Sequence, residues 1–218
     1  MTLVFGAIAD DLTGGMELAA MLVGQGVRCG FVTEVSAIDD VADAEAIVVA
    51  LKIRLAPVDD AQAKAKAAAR ALLDLGARQI FYKYCATFDS TDRGNIGPVA
   101  DCLASLCSAQ HVLFCPSFPD VGCVGFAGHQ FRGTTLISET EKRFDPATPM
   151  TDPDLRRVLG RQTQEAVGLV PLQTVLEGTA AVRRHIEQED AAGRRYLIAD
   201  AVRNADLGVL AQVAVEDR

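Results

Sequence analysis

Apolar runs and amphipathic stretches alternate along the chain with little exception. Leu3–Ala9 is a short continuous apolar run, the pattern of a strand buried on both faces. Met16–Gly24 has the length and spacing of a helix that stops near Gly24 and Gly26. Val27–Thr33 and Ala46–Lys52 predict the second and third strands. VDDAQAKAKAAARALLDLG predicts a long helix over Val58–Leu75, with Pro57 at its entrance and Gly76 at its exit. Gln79–Tyr84 predicts a fourth strand, Ile96–Cys107 a helix and His111–Pro116 a fifth strand. The rhythm breaks at Gly122–Thr135, whose glycines and weak alternation predict a loop or hairpin. Beyond it, Asp152–Gln162 predicts a helix capped by Thr151 or Asp152, with Pro153 in its first turn. Ala166–Leu172 and Arg195–Ala201 predict strands, and Thr179–Gln188 and Ala205–Val215 helices.

Strands alternating with helices predict an α/β fold. A mostly parallel sheet should carry helices on both faces, three layers in all, with the Gly-rich loop or hairpin as an insertion. No repeat, low-complexity tract or linker-like segment breaks the chain, so a single domain over residues 1–218 is expected. The last helix runs out at VAVEDR with no closing strand, which fits either a natural terminus or the point where a second domain would begin.

Composition narrows the functional classes. Aromatic residues make up 6% and Trp is absent, so the core must rest on Ala, Val, Leu and Ile. The formal net charge of −8 argues against a nucleic-acid partner or an anionic membrane surface. No apolar stretch approaches the roughly 18 residues of a membrane span, and no basic segment precedes an apolar run as in a signal peptide. The six cysteines show no C-x-x-C pair and no zinc-type spacing; they read as reduced, mostly buried thiols of a cytoplasmic protein.

In a parallel sheet, ligands gather outside the carboxyl ends of the strands, so polar groups at strand-to-helix junctions are the candidates for chemistry. The first is Asp10–Asp11–Leu12–Thr13–Gly14–Gly15. Helix capping accounts for one acid and the threonine. It leaves a second acid and two glycines, which suggest a tight turn approached closely by a ligand. The acids are adjacent, unlike the D-x-D of haloacid-dehalogenase phosphatases. A phosphotransfer receiver would need an acid after the third strand, where Leu51, Lys52 and Arg54 stand.

The second candidate is Arg54, suited to a bidentate grip on a carboxylate, or else part of a solvated basic loop. The third, YKYCATFDSTDRGNIGP, places Lys83 at a strand end and Asp89, Ser90, Thr91, Arg93 and Asn95 in the loop that follows. That set suits a small polyhydroxy acid: Asp and Asn for its hydroxyls, Lys, Arg or helix N–H groups for its carboxylate. The fourth is Cys115–Met150, with His129, Arg132, Glu139, Glu141 and Asp145; a lone His is more often structural than catalytic.

Taken together, GAIADDLTGG, YKYCATFDSTDRGNIGPV, CPSFP, GH and TPMTDPDLRRVLGRQT resemble the N-terminal, substrate-binding domain of the four-carbon acid sugar kinases. The chain is most similar to the 3-oxo-tetronate kinase branch, whose YKYCSTFDST differs here only at Ala86. The resemblance implies phosphorylation of the terminal hydroxyl of 3-oxo-tetronate, threonate or erythronate, with ATP and Mg²⁺. The nucleotide would be held by a C-terminal domain, in cis or in trans, since nothing here resembles its glycine-rich phosphate loop. It further implies that Asp11 and Asp10 are the catalytic acids, with Asp11 favoured to orient or deprotonate the attacking hydroxyl. Arg54, Lys83, Asp89, Ser90, Arg93, Asn95 and His129 would bind substrate, and no residue is assigned to a metal.

Three departures cluster in one segment: the family's NGRT is VGCV here, with Cys123 for the arginine; GHLFV is GHQFR; and HP before TPM is Asp145–Pro146. They leave a second expectation open, that of a non-catalytic sugar-acid sensor or an inactive paralogue. A domain without its partner would expose apolar surface and favour a homodimer.

Overall fold

The continuous apolar runs Leu3–Ala9 and Ala46–Lys52 become parallel strands buried on both faces, as such runs should. The computed structural model describes residues 3–88 and 91–216. They fall into two compact units, Met1–Cys85 with Pro98–Leu106, and Ala86–Gly97 with Cys107–Arg218.

The first unit holds β1 (Phe5–Ala9), α1 (Leu12–Gly24), β2 (Cys29–Val32), β3 (Ala46–Ala50), α2 (Val58–Asp74) and β4 (Gln79–Lys83), together with most of α3 (Ile96–Cys107). Its sheet has the order β2-β3-β1-β4 and is parallel throughout, with Ala9 opposite both Ala50 and Lys83. Helices cover both faces. A Cβ on Gly15 of α1 would stand 2.5 Å from that of Ala50 and 3.3 Å from that of Ala9, whereas one on Gly6 would stand 3.1 Å from Leu72 of α2. Residues 6 and 9 point to opposite sides of a strand, so α1 and α2 lie on opposite faces. The α2 side is packed by Ala61, Ala65, Ala68 and Leu72 against Ile8, Ile47 and Val49.

The start of α1 departs from expectation. The helix begins at Leu12, not Met16, because Asp11 is its cap: extended at φ −142°, it accepts the Gly14 N–H through Oδ1 at 2.6 Å. Thr13, Gly14 and Gly15 therefore lie in the first helical turn and do not shape a loop. Glycine there costs about 1 kcal/mol in propensity. At Gly15 the close approach to the sheet requires it, since any side chain would overlap Ala50.

The second unit holds β5 (Val112–Phe114), β6 (Cys123–Phe126), β7 (His129–Arg132), β8 (Thr135–Leu136), α4 (Leu155–Gly160), β9 (Val167–Val170), α5 (Leu172–Leu176), α6 (Thr179–Ala191), β10 (Tyr196–Ala199) and α7 (Asn204–Glu216). The expected single sheet is thus divided: β5-β10-β9 forms a second parallel sheet, and β6-β7-β8 an antiparallel one. Val170, Val175, Val182, Leu197 and Val213 pack the parallel sheet against α5, α6 and α7.

The Gly-rich stretch is the hairpin alternative, turning at Ala127–Gly128 with φ of +53° and +73°. Asp200, buried just past β10, holds that turn by accepting the N–H groups of Ala127 (2.7 Å) and Gly128 (2.9 Å), and that of Leu172 at the start of α5 (3.0 Å).

The helix expected over Asp152–Gln162 starts at Leu155. Its cap is Asp154, whose carboxylate accepts the N–H groups of Arg156 and Arg157, so Pro153 precedes the helix. Five-residue α5 was not expected; it is too short to show a period of its own.

Candidate active site

β1, β3 and β4 end side by side, and a polar cluster forms over their carboxyl ends. The Asp10 N–H donates to the Lys83 carbonyl at 2.9 Å, and its own carbonyl accepts the N–H groups of Ile53 (3.0 Å) and Arg54 (3.2 Å). Main-chain pairing therefore brings Asp10, Arg54 and Lys83 together from three stretches of chain. Asp10 is 2% exposed. Arg54 grips it in fork geometry, Nε to Oδ2 at 2.9 Å and Nη2 to Oδ1 at 2.7 Å, and reaches Asp11 Oδ2 through Nη1 at 2.7 Å. Asp11 is the more accessible acid, with one oxygen on the Gly14 N–H and the other on Arg54. The Lys83 ammonium lies 3.4 Å from Glu17 Oε2 on α1 and donates to the Tyr84 carbonyl at 3.3 Å.

Burial pushes the Asp10 carboxyl above its ordinary range, and the hydrogen bond and charge of Arg54 pull it back without overcoming that push. Burial would by itself pull the Arg54 guanidinium down, but Asp10 and Asp11 hold it well above its ordinary value. The cluster thus pairs a buried acid held by a fixed cation with a second, reachable acid. An acid so placed can orient or accept the proton of a hydroxyl, and a nearby ammonium can hold an anion.

Of the residues expected to act together, the structure gathers Asp10, Asp11, Arg54 and Lys83. Asp89 and Ser90 lie outside the described residues. Arg93, Asn95 and His129 belong to the second unit. Arg93 is exposed, while Asn95 is buried immediately before α3, the position of a cap. The Nδ1 of His129 lies 2.9 Å from the Ala127 carbonyl. A carbonyl only accepts, so Nδ1 carries the proton and neutral His129 presents Nε2 as an acceptor.

The departing residues have local roles. Cys123 is buried at the start of β6. Asp145 accepts the N–H groups of Thr148 and Ala147, which hold its carboxyl below the usual range. Gln130 donates its side-chain N–H to the Ala86 carbonyl and is fully buried. Glu17 escaped the sequence reading: a single acid on an apolar helix carries no signal until β4 is placed beside it.

Among the described residues, no group of three His, Cys, Asp or Glu could hold a metal ion. Both candidate acids are turned toward Arg54, so these residues do not by themselves fit a Mg²⁺ site. Among the described residues, too, no helix is long and apolar enough to cross a membrane.

Sequence comparison decides the family, since the profile of the sugar-binding N-terminal domain matches residues 5–218. The chain belongs to that family. A curated 3-oxo-tetronate kinase of Burkholderia multivorans is 47% identical over 209 residues, covering 96% of this chain and 49% of that protein. This sugar-binding N-terminal domain therefore spans about half the length of the curated relatives it matches. A Salmonella typhimurium crystal structure superposes with a TM-score of 0.95 at 35% identity, over 99% of this chain and 52% of that one. A Bordetella bronchiseptica structure, described as a domain of unknown function with bound citrate in a domain-swapped dimer, superposes with a TM-score of 0.78 at 26% identity, over 95% and 49% of the two chains. The relatives' name agrees with the resemblance carried by the motifs, and the three-layer α/β fold is that of the solved neighbours.

Proposed function

We propose that this domain is the acceptor half of an ATP-dependent kinase and binds a four-carbon sugar acid such as 3-oxo-tetronate, threonate or erythronate. The observation that carries the reading is the Asp10–Arg54–Asp11 arrangement over the strand ends, with Lys83 beside it. Asp11 orients the terminal hydroxyl and takes its proton. Asp10 is the buried anchor that keeps Arg54 in register beside it. Lys83 takes the substrate carboxylate, with Arg54 proposed beside it. Arg93, Asn95 and His129, and with them Asp89 and Ser90, are proposed separately as sugar-acid contacts, on the resemblance of their motifs alone.

ATP and Mg²⁺ would be brought by the other half of the protein, which the family's kinases supply as a nucleotide-binding domain. Because positioned donor phosphate provides most of the catalysis in phosphoryl transfer, the chain by itself should bind acid and turn nothing over. Self-association is proposed too, on the precedent of the dimeric relative, and sedimentation of the purified chain reads it.

The test is a thermal-shift and calorimetric screen of four-carbon sugar acids on wild type and Lys83→Ala. Stabilisation by one acid that disappears in Lys83→Ala is expected. A wild-type chain that binds none of them, or a Lys83→Ala variant that binds equally well, would overturn the assignment. ATP-dependent phosphorylation by the 218-residue chain alone would overturn the division of labour.

A further inference from the structure

The motif TPMTDPDLRRVLGRQT carries, one place before its end, a residue whose purpose the sequence leaves blank. Gln162 follows α4 and is 8% exposed. Its Oε1 accepts the Gly97 N–H at 3.0 Å, and its Nε2 donates to the Thr91 carbonyl at 3.0 Å. Thr91 also accepts the Gly94 N–H at 3.0 Å, which closes a turn inside the same stretch. One amide therefore ties both ends of the 91–97 loop, the loop that carries Arg93 and Asn95.

Two glycines make room for it. A Cβ on Gly97 would lie 2.7 Å from both the Cβ and the carbonyl oxygen of Gln162, and one on Gly94 would overlap the amide group itself. Neither glycine lies in the left-handed region, so space, not backbone conformation, demands them. Arg161 adds an ion pair to Asp92 at 2.8 Å, but Asp92 is mostly exposed and such a pair contributes little. The geometry requires a side chain that donates and accepts at once. A glutamate in this place would lose the bond to Thr91, and an aliphatic residue would lose both.

We propose that Gln162 is a positioning residue that sets the 91–97 loop for the sugar acid. The proposal rests on the ligand-contact reading of Arg93 and Asn95 given above. It predicts a loop already ordered before ligand arrives, so that binding does not have to order it.

The test combines hydrogen exchange with calorimetry, using wild type and Gln162→Met, a swap of similar volume that removes both bonds. Without ligand, amides of 91–97 should exchange at least about tenfold faster in Gln162→Met, about tenfold being the loss expected for one of its two buried hydrogen bonds, while β9 and β10 keep their protection. The dissociation constant for threonate should rise by about tenfold over wild type. Gln162→Glu, which keeps the acceptor for Gly97, should fall between the two and serves in place of Gln162→Met if β9 and β10 lose protection.

Unchanged exchange in the loop would overturn the clamp. A released loop with unchanged threonate affinity would overturn its role in binding. If wild type binds no four-carbon acid, the sugar-acid reading fails and the positioning role falls with it; the exchange data still report the clamp separately.

Discussion

Two clusters of acids and arginines, one in each unit, look alike in the sequence and differ in kind. In the first unit Asp10 is buried, gripped by Arg54 in a two-bond fork, and its carboxyl is nonetheless raised, because burial outweighs the partner. In the second unit Asp152 and Asp154 face Arg156, Arg157 and Arg161, and both carboxyls are lowered. For Asp152 the hydrogen bond from Arg157 leads; for Asp154 those from Arg156 and the helix N–H groups overcome the opposing effect of burial. The second cluster behaves as a helix start should, with acids satisfied by nearby donors. The first keeps an acid where solvation disfavours its charge. A site where an ionised group is held against its preference is a better candidate for chemistry than one where every charge is relaxed.

That contrast can be broken by substitution. Arg54→Ala should have the largest effect, about 3–5 kcal/mol of stability, since it strands the buried Asp10 charge. Urea denaturation reads the loss. Combining it with Asp10→Asn should recover much of it, and a single variant that costs under about 1 kcal/mol would erase the distinction. Asp200→Ala should come next, at about 2–3 kcal/mol, because it leaves buried main-chain N–H groups at the hairpin turn and at α5 without their acceptor. Asp154→Ala should cost about 1 kcal/mol as a lost cap. Arg157→Ala, on an exposed side chain, should cost least, with a smaller shift of the denaturation midpoint than Asp154→Ala.

Acid titration sharpens the same contrast, with opposite signs. The folded Asp10 carboxyl lies above its ordinary 3.8, so its contribution is intact below about pH 4 and declines as pH rises through the folded value. Asp152 and Asp154 lie below 3.8 when folded, so their contribution is complete above about pH 4 and is lost as pH falls through their depressed values. Denaturation between about pH 3 and pH 7 should therefore show the advantage of wild type over Asp152→Asn shrinking toward acid, and that over Asp10→Asn shrinking toward neutral pH. Slopes of equal sign would refute the assignment of burial as the dominant influence on Asp10.

Much of the molecule was legible before the structure. The alternation of elements, the extent of α2 and α3, and a loop or hairpin somewhere in Gly122–Thr135 all follow from local patterns, because strand and helix periods are properties of a few neighbouring residues. The pairing of acids after β1 was legible as one acid more than a helix cap needs: capping accounts for Asp11 and leaves Asp10 over. The first turn of α1 was misread because Gly14 and Gly15 signal a loop unless Ala50 is known to lie behind them.

What the sequence by itself determined is therefore the fold class, the family motifs and the strand ends where chemistry should be sought. The tertiary structure decided which side chains meet: Arg54 with Asp10, Glu17 with Lys83, and Gln162 with both ends of its loop. It also divided the parallel strands between two sheets. The physical reason is common to all of these. Strand register and close packing join residues far apart in the chain, and no window of neighbouring residues carries the information about what will stand opposite.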